Sequence, residues 1–212
     1  MDPTAELSVV EAINDLVTST QAESTMLQST LIKETTQSIP YDGSHQLSYF
    51  QRLAEAGHSW AQCALGECYM DGMLVHRDLK MAVLWYTRAQ EAGNVKAHHL
   101  LAKCLLEGKG IKRNRYKAVT YMIVAAKGGY VPAQMALAEC LSHGKGRTRS
   151  SSGAFFWYLE AAKLRHPNAM YQVGILYRRG KGVEKSKEEA LYWLKEAALS
   201  GHKKALQVLY NT

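Results

Sequence analysis

The segment GYVPAQMALAECLSHGKGRTRSSSGAFFWYLEAAKL spans residues 129–164. Small and apolar side chains recur at helical spacing within residues 132–143, and the proline at position 132 suits a first helical turn. Gly144 interrupts the pattern, and a second apolar face runs from about residue 151 to about residue 163. The segment therefore predicts two antiparallel helices joined by a short loop.

The same pattern recurs along the chain with a period of 36 residues. Glycines that end a first helix, small core residues, aromatic residues and helix-capping side chains all keep this spacing. The columns are Gly72/Gly108/Gly144/Gly180, Ala61/Ala97/Ala133/Ala169/Ala205, Trp85/Tyr121/Trp157/Trp193 and Asp78/Asn114/Ser150/Ser186. A single period shared by independent columns predicts an all-α solenoid of helix–turn–helix repeats.

The residues within these repeats resemble the Sel1-like repeat family. The run AMYQVGILYRRGKGV at residues 169–183 carries the resemblance, together with Ala190, Tyr192, Trp193, Ala197, Ala198, Gly201 and His202. It covers four full units at about residues 57–202, with half units at residues 46–56 and 203–210. The resemblance implies a right-handed α/α superhelix, related to tetratricopeptide repeats, that acts as an adaptor or scaffold without enzyme activity.

Two positions depart from the pattern of the family. Leu74 stands where the other units have a second loop glycine, and Arg147 stands where the family usually has Val, Ile or Leu. We therefore expect the loops of the first and third units to differ in shape from the other two.

The composition restricts the class of protein. The chain has 212 residues, of which 47% are hydrophobic and 21% charged, so it can bury a core. No apolar run approaches the length of a membrane span. The acidic N-terminus lacks the basic and apolar segments of a Sec signal peptide. We expect a cytoplasmic protein, with secretion by other signals left open.

Three of the four cysteines, Cys68, Cys104 and Cys140, occupy one column, and the fourth is Cys63. Equivalent positions in neighbouring repeats lie about 10 Å apart, judged from helix packing distances. A disulfide needs Cα atoms within about 7 Å. We therefore expect free thiols, as in a reducing compartment, and no zinc site.

The N-terminal segment differs from the repeats in charge and period. Residues 1–44 carry a net charge of −6, whereas the whole chain carries +7, so residues 45–212 carry +13. This difference in charge suggests an oppositely charged partner for each part, and the other part of the same chain is one candidate. We divide the chain into an acidic segment, residues 1–40, and a solenoid, residues 41–212. The segment fits three interpretations: a capping helix, a docking helix or a disordered address segment.

Residues that vary between repeats predict where a partner binds. Three columns on the first helix lie four and three residues apart, so they form one face of that helix. The resemblance places this face on the concave side of the solenoid. We call the following residues the first-helix stripe and expect them to contact a protein partner: His99, Lys103, Met135, Glu139, Tyr171 and Arg178.

The loops inside the repeats are rich in lysine and arginine, and stacking of the repeats should align them. We call this set the basic edge: Lys112, Arg113, Arg115, Arg147, Arg149, Arg179 and Lys181. Such an edge could bind acidic protein, phosphate or lipid headgroups, or could serve only for solubility. Nucleic acid is disfavoured, because no reading element or set of exposed stacking aromatics is evident.

No group of residues predicts catalysis, a metal site or a cofactor. His98 and His99 lie near Cys104 in sequence, but no second pair of ligands accompanies them. No nucleophile, base and orienting residue can be grouped. The leading interpretation is a non-enzymatic adaptor that binds a peptide segment or a folded protein, with an acidic partner as one option. The alternative is a regulatory subunit or inhibitor of one enzyme, of the immunity or effector type. The oligomeric state is not predicted.

Overall fold

The structure, a computed structural model, describes residues 43–210, and residues 44–210 belong to one compact unit. Residues 1–40, with the three interpretations given for them, lie outside the described residues. The described residues contain ten helices and no strand. The helices are α1 Gly43–Glu55, α2 Ser59–Asp71, α3 Leu79–Glu91, α4 Val95–Glu107, α5 Arg115–Lys127, α6 Val131–His143, α7 Ser151–Lys163, α8 Pro167–Arg179, α9 Lys187–Leu199 and α10 Lys203–Tyr210.

The helices repeat with the period seen in the sequence. The first helices of the four units are α2, α4, α6 and α8, and each begins 36 residues after the one before. The second helices, α3, α5, α7 and α9, keep the same step, and all eight contain 13 residues. Each helix from α2 to α10 packs against its neighbours within that series, as the prediction of an all-α repeat solenoid requires.

The capping column at the start of the second helices is confirmed. The Asp78 carboxylate accepts hydrogen bonds from the backbone N–H groups of Lys80 and Met81, at 2.9 and 3.1 Å. Asn114, Ser150 and Ser186 accept one each, from Lys117, Gly153 and Glu189. Since the first N–H groups of a helix have no intrahelical acceptor, these side chains fix where each second helix begins.

The loops between paired helices share one backbone shape, and our expectation of different loops was wrong. The glycine after each first helix is left-handed, with φ between 62 and 76°. At the second loop position, Leu74 has φ 66° and Gly110 has φ 69°. The Leu74 side chain is 41% exposed, so solvent accommodates it. Arg147 is also exposed, so its guanidinium does not disturb the turn.

The core consists of small residues at the helix crossings and of larger residues that fill the spaces between them. Ala61, Ala97, Ala133 and Ala169 have no exposed surface. Trp157 contacts two successive core clusters, one around Met122 and Leu137 and one around Val173 and Leu194. Trp157, and likewise Tyr121 of the same column, therefore joins the core of one repeat to the core of the next.

Polar side chains fix the turns between repeats. His166 and His202 each accept, through Nδ1, a hydrogen bond from the backbone three residues later, and Asn94 does the same through its side-chain oxygen. His58 and Tyr130, at the equivalent positions of the first and third repeats, make no such bond. Burial lowers the pKa of His202, which favours the neutral ring that can accept through Nδ1.

Candidate protein-interaction site

The first-helix stripe lies on helices α4, α6 and α8. Lys103 and Glu139 are exposed, and Met135, Tyr171 and Arg178 are half-buried. His99 is only 8% exposed, so its ring belongs to the packed interior beside the stripe. The stripe thus combines accessible charges with partly covered aromatic, thioether and guanidinium groups.

His99 packs against the turn that leads into the third repeat. Its ring meets the Tyr130 ring edge to face, with centroids 5.4 Å apart. Its buried Nδ1 has no hydrogen-bond partner among the described residues. Burial and, to a smaller extent, the nearby Lys103 ammonium lower the pKa of His99 from 6.5 to about 4. The imidazole is therefore neutral near pH 7.

Acid should destabilise the repeats through His99. The unfolded chain takes up the proton at a higher pH than the folded chain does, so lowering the pH favours unfolding. Between pH 7 and pH 5 we expect His99 to account for a loss of about 1–2 kcal/mol. Denaturant unfolding of the protein and of His99→Leu at both pH values measures this contribution. An equal loss in both proteins would contradict it.

An ion pair that the sequence pattern did not predict joins the first two repeats beside the stripe. Lys96 Nζ lies 2.8 Å from Glu67 Oε1, and the two residues are 29 positions apart. The neighbouring Cys63 thiol is buried, and desolvation raises its pKa to about 11 despite the opposing charge of Lys96. Lys96 and Glu67 occupy adjacent first helices, and only the stacking of those helices brings them together.

The aromatic group of the stripe is held by the following turn. The Tyr171 and His202 rings stack with centroids 4.5 Å apart and planes 20° apart. His202 is itself fixed as the N-cap of α10, since its Nδ1 accepts from Ala205 N–H at 3.1 Å. Tyr171 is therefore oriented before any partner binds, which reduces the entropy lost on binding.

The basic edge follows the loops from one repeat to the next. Six of its seven residues are exposed, and Lys181 is half-buried. In the first repeat, the residue equivalent to Arg113 and Arg149 is Arg77. Arg77 donates a hydrogen bond through Nε to the carbonyl of Met70 near the end of α2, at 3.0 Å. A cation at that end of a helix is favourable. Arg77 thus has a structural role at the end of α2.

The cysteines are structural. All four are free and buried, as we expected from their column. Desolvation raises the pKa of Cys104 to about 11, so the thiolate is scarce near pH 7. Among residues 43–210, no group of three or more potential ligands could hold a metal ion.

None of the helices in the described part of the chain is long and apolar enough to cross a membrane.

Comparison with known proteins identifies the family. The Sel1 repeat profile matches residues 61–94, 95–130, 131–166 and 167–202. The chain therefore belongs to the Sel1 repeat family, whose members are generally non-enzymatic scaffolds that bind protein partners. No significant match was found among curated proteins.

Solved structures of Sel1 repeat proteins share the fold. The chain is 32% identical to c5321, a protective antigen present in uropathogenic Escherichia coli strains, with a TM-score of 0.74 over 77% of this chain. It is 27% identical to a Sel1 repeat protein from Oxalobacter formigenes, with a TM-score of 0.76 over 81% of this chain. The match covers only 35% and 50% of those two proteins, respectively. The immunity protein Pa5087 from Pseudomonas aeruginosa has a TM-score of 0.51 and 18% identity, over 79% of this chain and 62% of that protein, which shows a shared fold alone.

Proposed function

We propose that this protein is a non-enzymatic adaptor that binds a segment of a partner protein along the first-helix stripe. The observation that supports it most is the contrast between columns. Core positions such as Ala97 and Ala133 repeat, whereas accessible positions on the same helices, such as Lys103 and Glu139, differ in charge. A solenoid needs repetition only where repeats pack, so variation on an accessible face suits recognition.

The composition of the stripe also suits a protein ligand. Tyr171 supplies a fixed aromatic ring, and Met135, in the preceding repeat, supplies a flexible thioether that adapts to different contacts. Tyrosine, methionine and arginine are enriched at protein interfaces, and charged residues at the rim select the partner. The stripe therefore has an apolar centre on α6 and α8 and charged neighbours.

Site-specific crosslinking tests this proposal. A photo-crosslinking residue at Met135 in the full-length protein should capture a protein partner in its native cells. The same residue at Thr120, which is exposed on the second helix α5, serves as the matched control. Equal capture at both positions, or capture only at Thr120, would argue against the stripe. Recovery of one enzyme alone would favour the alternative, a dedicated inhibitor or regulatory subunit.

Reversing one charge of the stripe should weaken binding of the captured partner. We expect Lys103→Glu to lower the affinity about three- to tenfold, since like charges then meet at the interface. Lys127→Glu makes the same charge change at an exposed site at the end of α5 and should have little effect. Titration calorimetry of both variants measures the difference. An unchanged affinity for Lys103→Glu would place the partner elsewhere.

A further inference from the structure

The charge of the basic edge is concentrated in its two central loops. Residues 108–117 contain five basic residues and no acid, and residues 144–153 contain three basic residues and no acid. In the first loop, residues 72–81, one acid balances half of the positive charge, and in the fourth loop, residues 180–189, acids balance all of it. Solubility alone does not require the excess of positive charge to be confined to the second and third loops.

The two central loops are joined by close packing of successive repeats. A Cβ atom added to Gly146 would lie 2.8 Å from the carbonyl carbon of Arg115 and 3.0 Å from Val119 Cγ2. The third loop, which carries Arg147, therefore rests directly on the start of α5, which carries Arg115. This packing brings the basic loops of two successive repeats next to each other.

Two of the cations stand where the local structure disfavours a positive charge. Arg115 is the first residue of α5, and a cation is unfavourable at a helix N-terminus. Arg147 occupies the column in which Val75, Ile111 and Val183 are half-buried against the fold. Charges at these positions do not assist folding, which favours a role in binding.

The central cations are free to engage a ligand. Lys112, Arg113, Arg115, Arg147 and Arg149 are all exposed, and none forms an ion pair among residues 43–210. Four of the five are arginines, whose planar donors match carboxylate oxygens in pairs.

We infer that the central part of the basic edge (Lys112, Arg113, Arg115, Arg147 and Arg149) is a second binding site, for an extended acidic segment of a partner protein. Repeats succeed one another at about 10 Å, and a peptide in the extended polyproline II conformation advances about 3.1 Å per residue and presents every third side chain on the same face. Acidic side chains at every third residue therefore meet successive loops. Within these two loops, Tyr116 is the one large aromatic residue that is exposed, at 65%. A nucleic acid strand stacks its bases on several aromatic side chains, so a single exposed ring favours a peptide ligand.

Fluorescence anisotropy with the full-length protein tests this site. The probe is a labelled peptide with glutamate at every third position, and the control peptide carries glutamine instead. We expect the glutamate peptide to bind and its affinity to fall as salt rises from about 50 to about 300 mM. Absence of binding at the lower salt concentration would overturn the inference. So would tighter binding of a single-stranded oligonucleotide or of vesicles containing anionic phospholipid.

Matched variants separate a local site from net charge. The triple variant Lys112→Gln, Arg115→Gln and Arg147→Gln should weaken peptide binding at least about tenfold. The control triple Lys127→Gln, Lys195→Gln and Lys204→Gln removes the same charge from exposed sites outside the edge and should change affinity less than about twofold. Equal losses in the two triples would overturn the inference.

A further variant guards against misfolding. If the melting temperature of the first triple variant differs from that of the wild-type protein, the double variant Arg113→Gln and Arg149→Gln replaces it. The same loss of peptide binding is expected for this double variant. Binding unchanged in a folded edge variant would overturn the inference. The adaptor proposal would stand in that case, because crosslinking at Met135 tests a different face of the repeats.

Discussion

Replacing Gly110 with alanine should lower the free energy of unfolding by about 3–5 kcal/mol. Gly110 has φ 69°, and a Cβ atom there would overlap the backbone carbonyl of Leu79 at the start of α3. The residue thus combines a left-handed backbone with contact between two repeats. Because the obstacle is backbone, a side-chain rotation cannot relieve it. Denaturant unfolding followed by circular dichroism measures the change.

Gly93→Ala is the matched control for this prediction. Gly93 has φ 80°, and nothing lies within 4 Å of the position of its Cβ atom. The control therefore carries the backbone strain without the overlap, and we expect a loss of about 1–2 kcal/mol. Arg165 adopts φ 59° in the same column, so the protein already tolerates a side chain there. Similar losses for Gly110→Ala and Gly93→Ala would show that the repeats do not touch at this loop.

Trp157→Ala should lower the free energy of unfolding by about 3 kcal/mol. The indole packs against the clusters on both of its sides, so its removal leaves a cavity at the junction of two repeats. Loss of that contact should also separate the unfolding of residues before and after the junction, because each repeat contacts only its neighbours. Thermal melting detects the first effect, and hydrogen exchange along the chain detects the second.

Phe156→Ala provides the comparison for Trp157. Phe156 is the preceding residue and is 51% exposed, although its ring meets the Trp157 ring at 5.1 Å. We expect a loss of about 1 kcal/mol or less, mainly from the aromatic pair. If Phe156→Ala were as destabilising as Trp157→Ala, the indole would not be the residue that joins the two cores.

Both substitutions also bear on function. The first-helix stripe extends over α4, α6 and α8, and the basic edge extends over successive loops. Either surface presents its groups in register only while neighbouring repeats stay packed. We therefore expect a variant that separates the repeats to lose binding even where no binding residue has changed.

Much of the fold followed from residue columns. Asp78 and Ser150 were predicted to cap helices because residues of their column differ in type but can all accept a hydrogen bond. Both make the expected hydrogen bonds. The limits of α7, Ser151–Lys163, agree with the apolar pattern. These features are local, since helix periodicity and caps depend on residues within a few positions of one another.

The candidate site was less accessible to sequence reasoning. His99 was assigned to the surface stripe because its column varies, yet it is buried against Tyr130, which lies 31 positions later. The pairing of Lys96 with Glu67 was also missed, since their columns gave no sign of contact between first helices. The first loop was expected to differ because Leu74 is not glycine, but Leu74 adopts the left-handed backbone of the equivalent Gly110.

The amino-acid sequence by itself determined the helix pairs, their 36-residue period, the free cysteines and the membership of the Sel1 repeat family. It could do so because repeating units reveal, column by column, which positions must stay small, apolar or capping. Only the tertiary structure decided which residues of the first helices remain accessible and which charges come together. Burial of His99 and contact between Arg115 and the third loop arise from neighbouring repeats, so no single repeat contains that information.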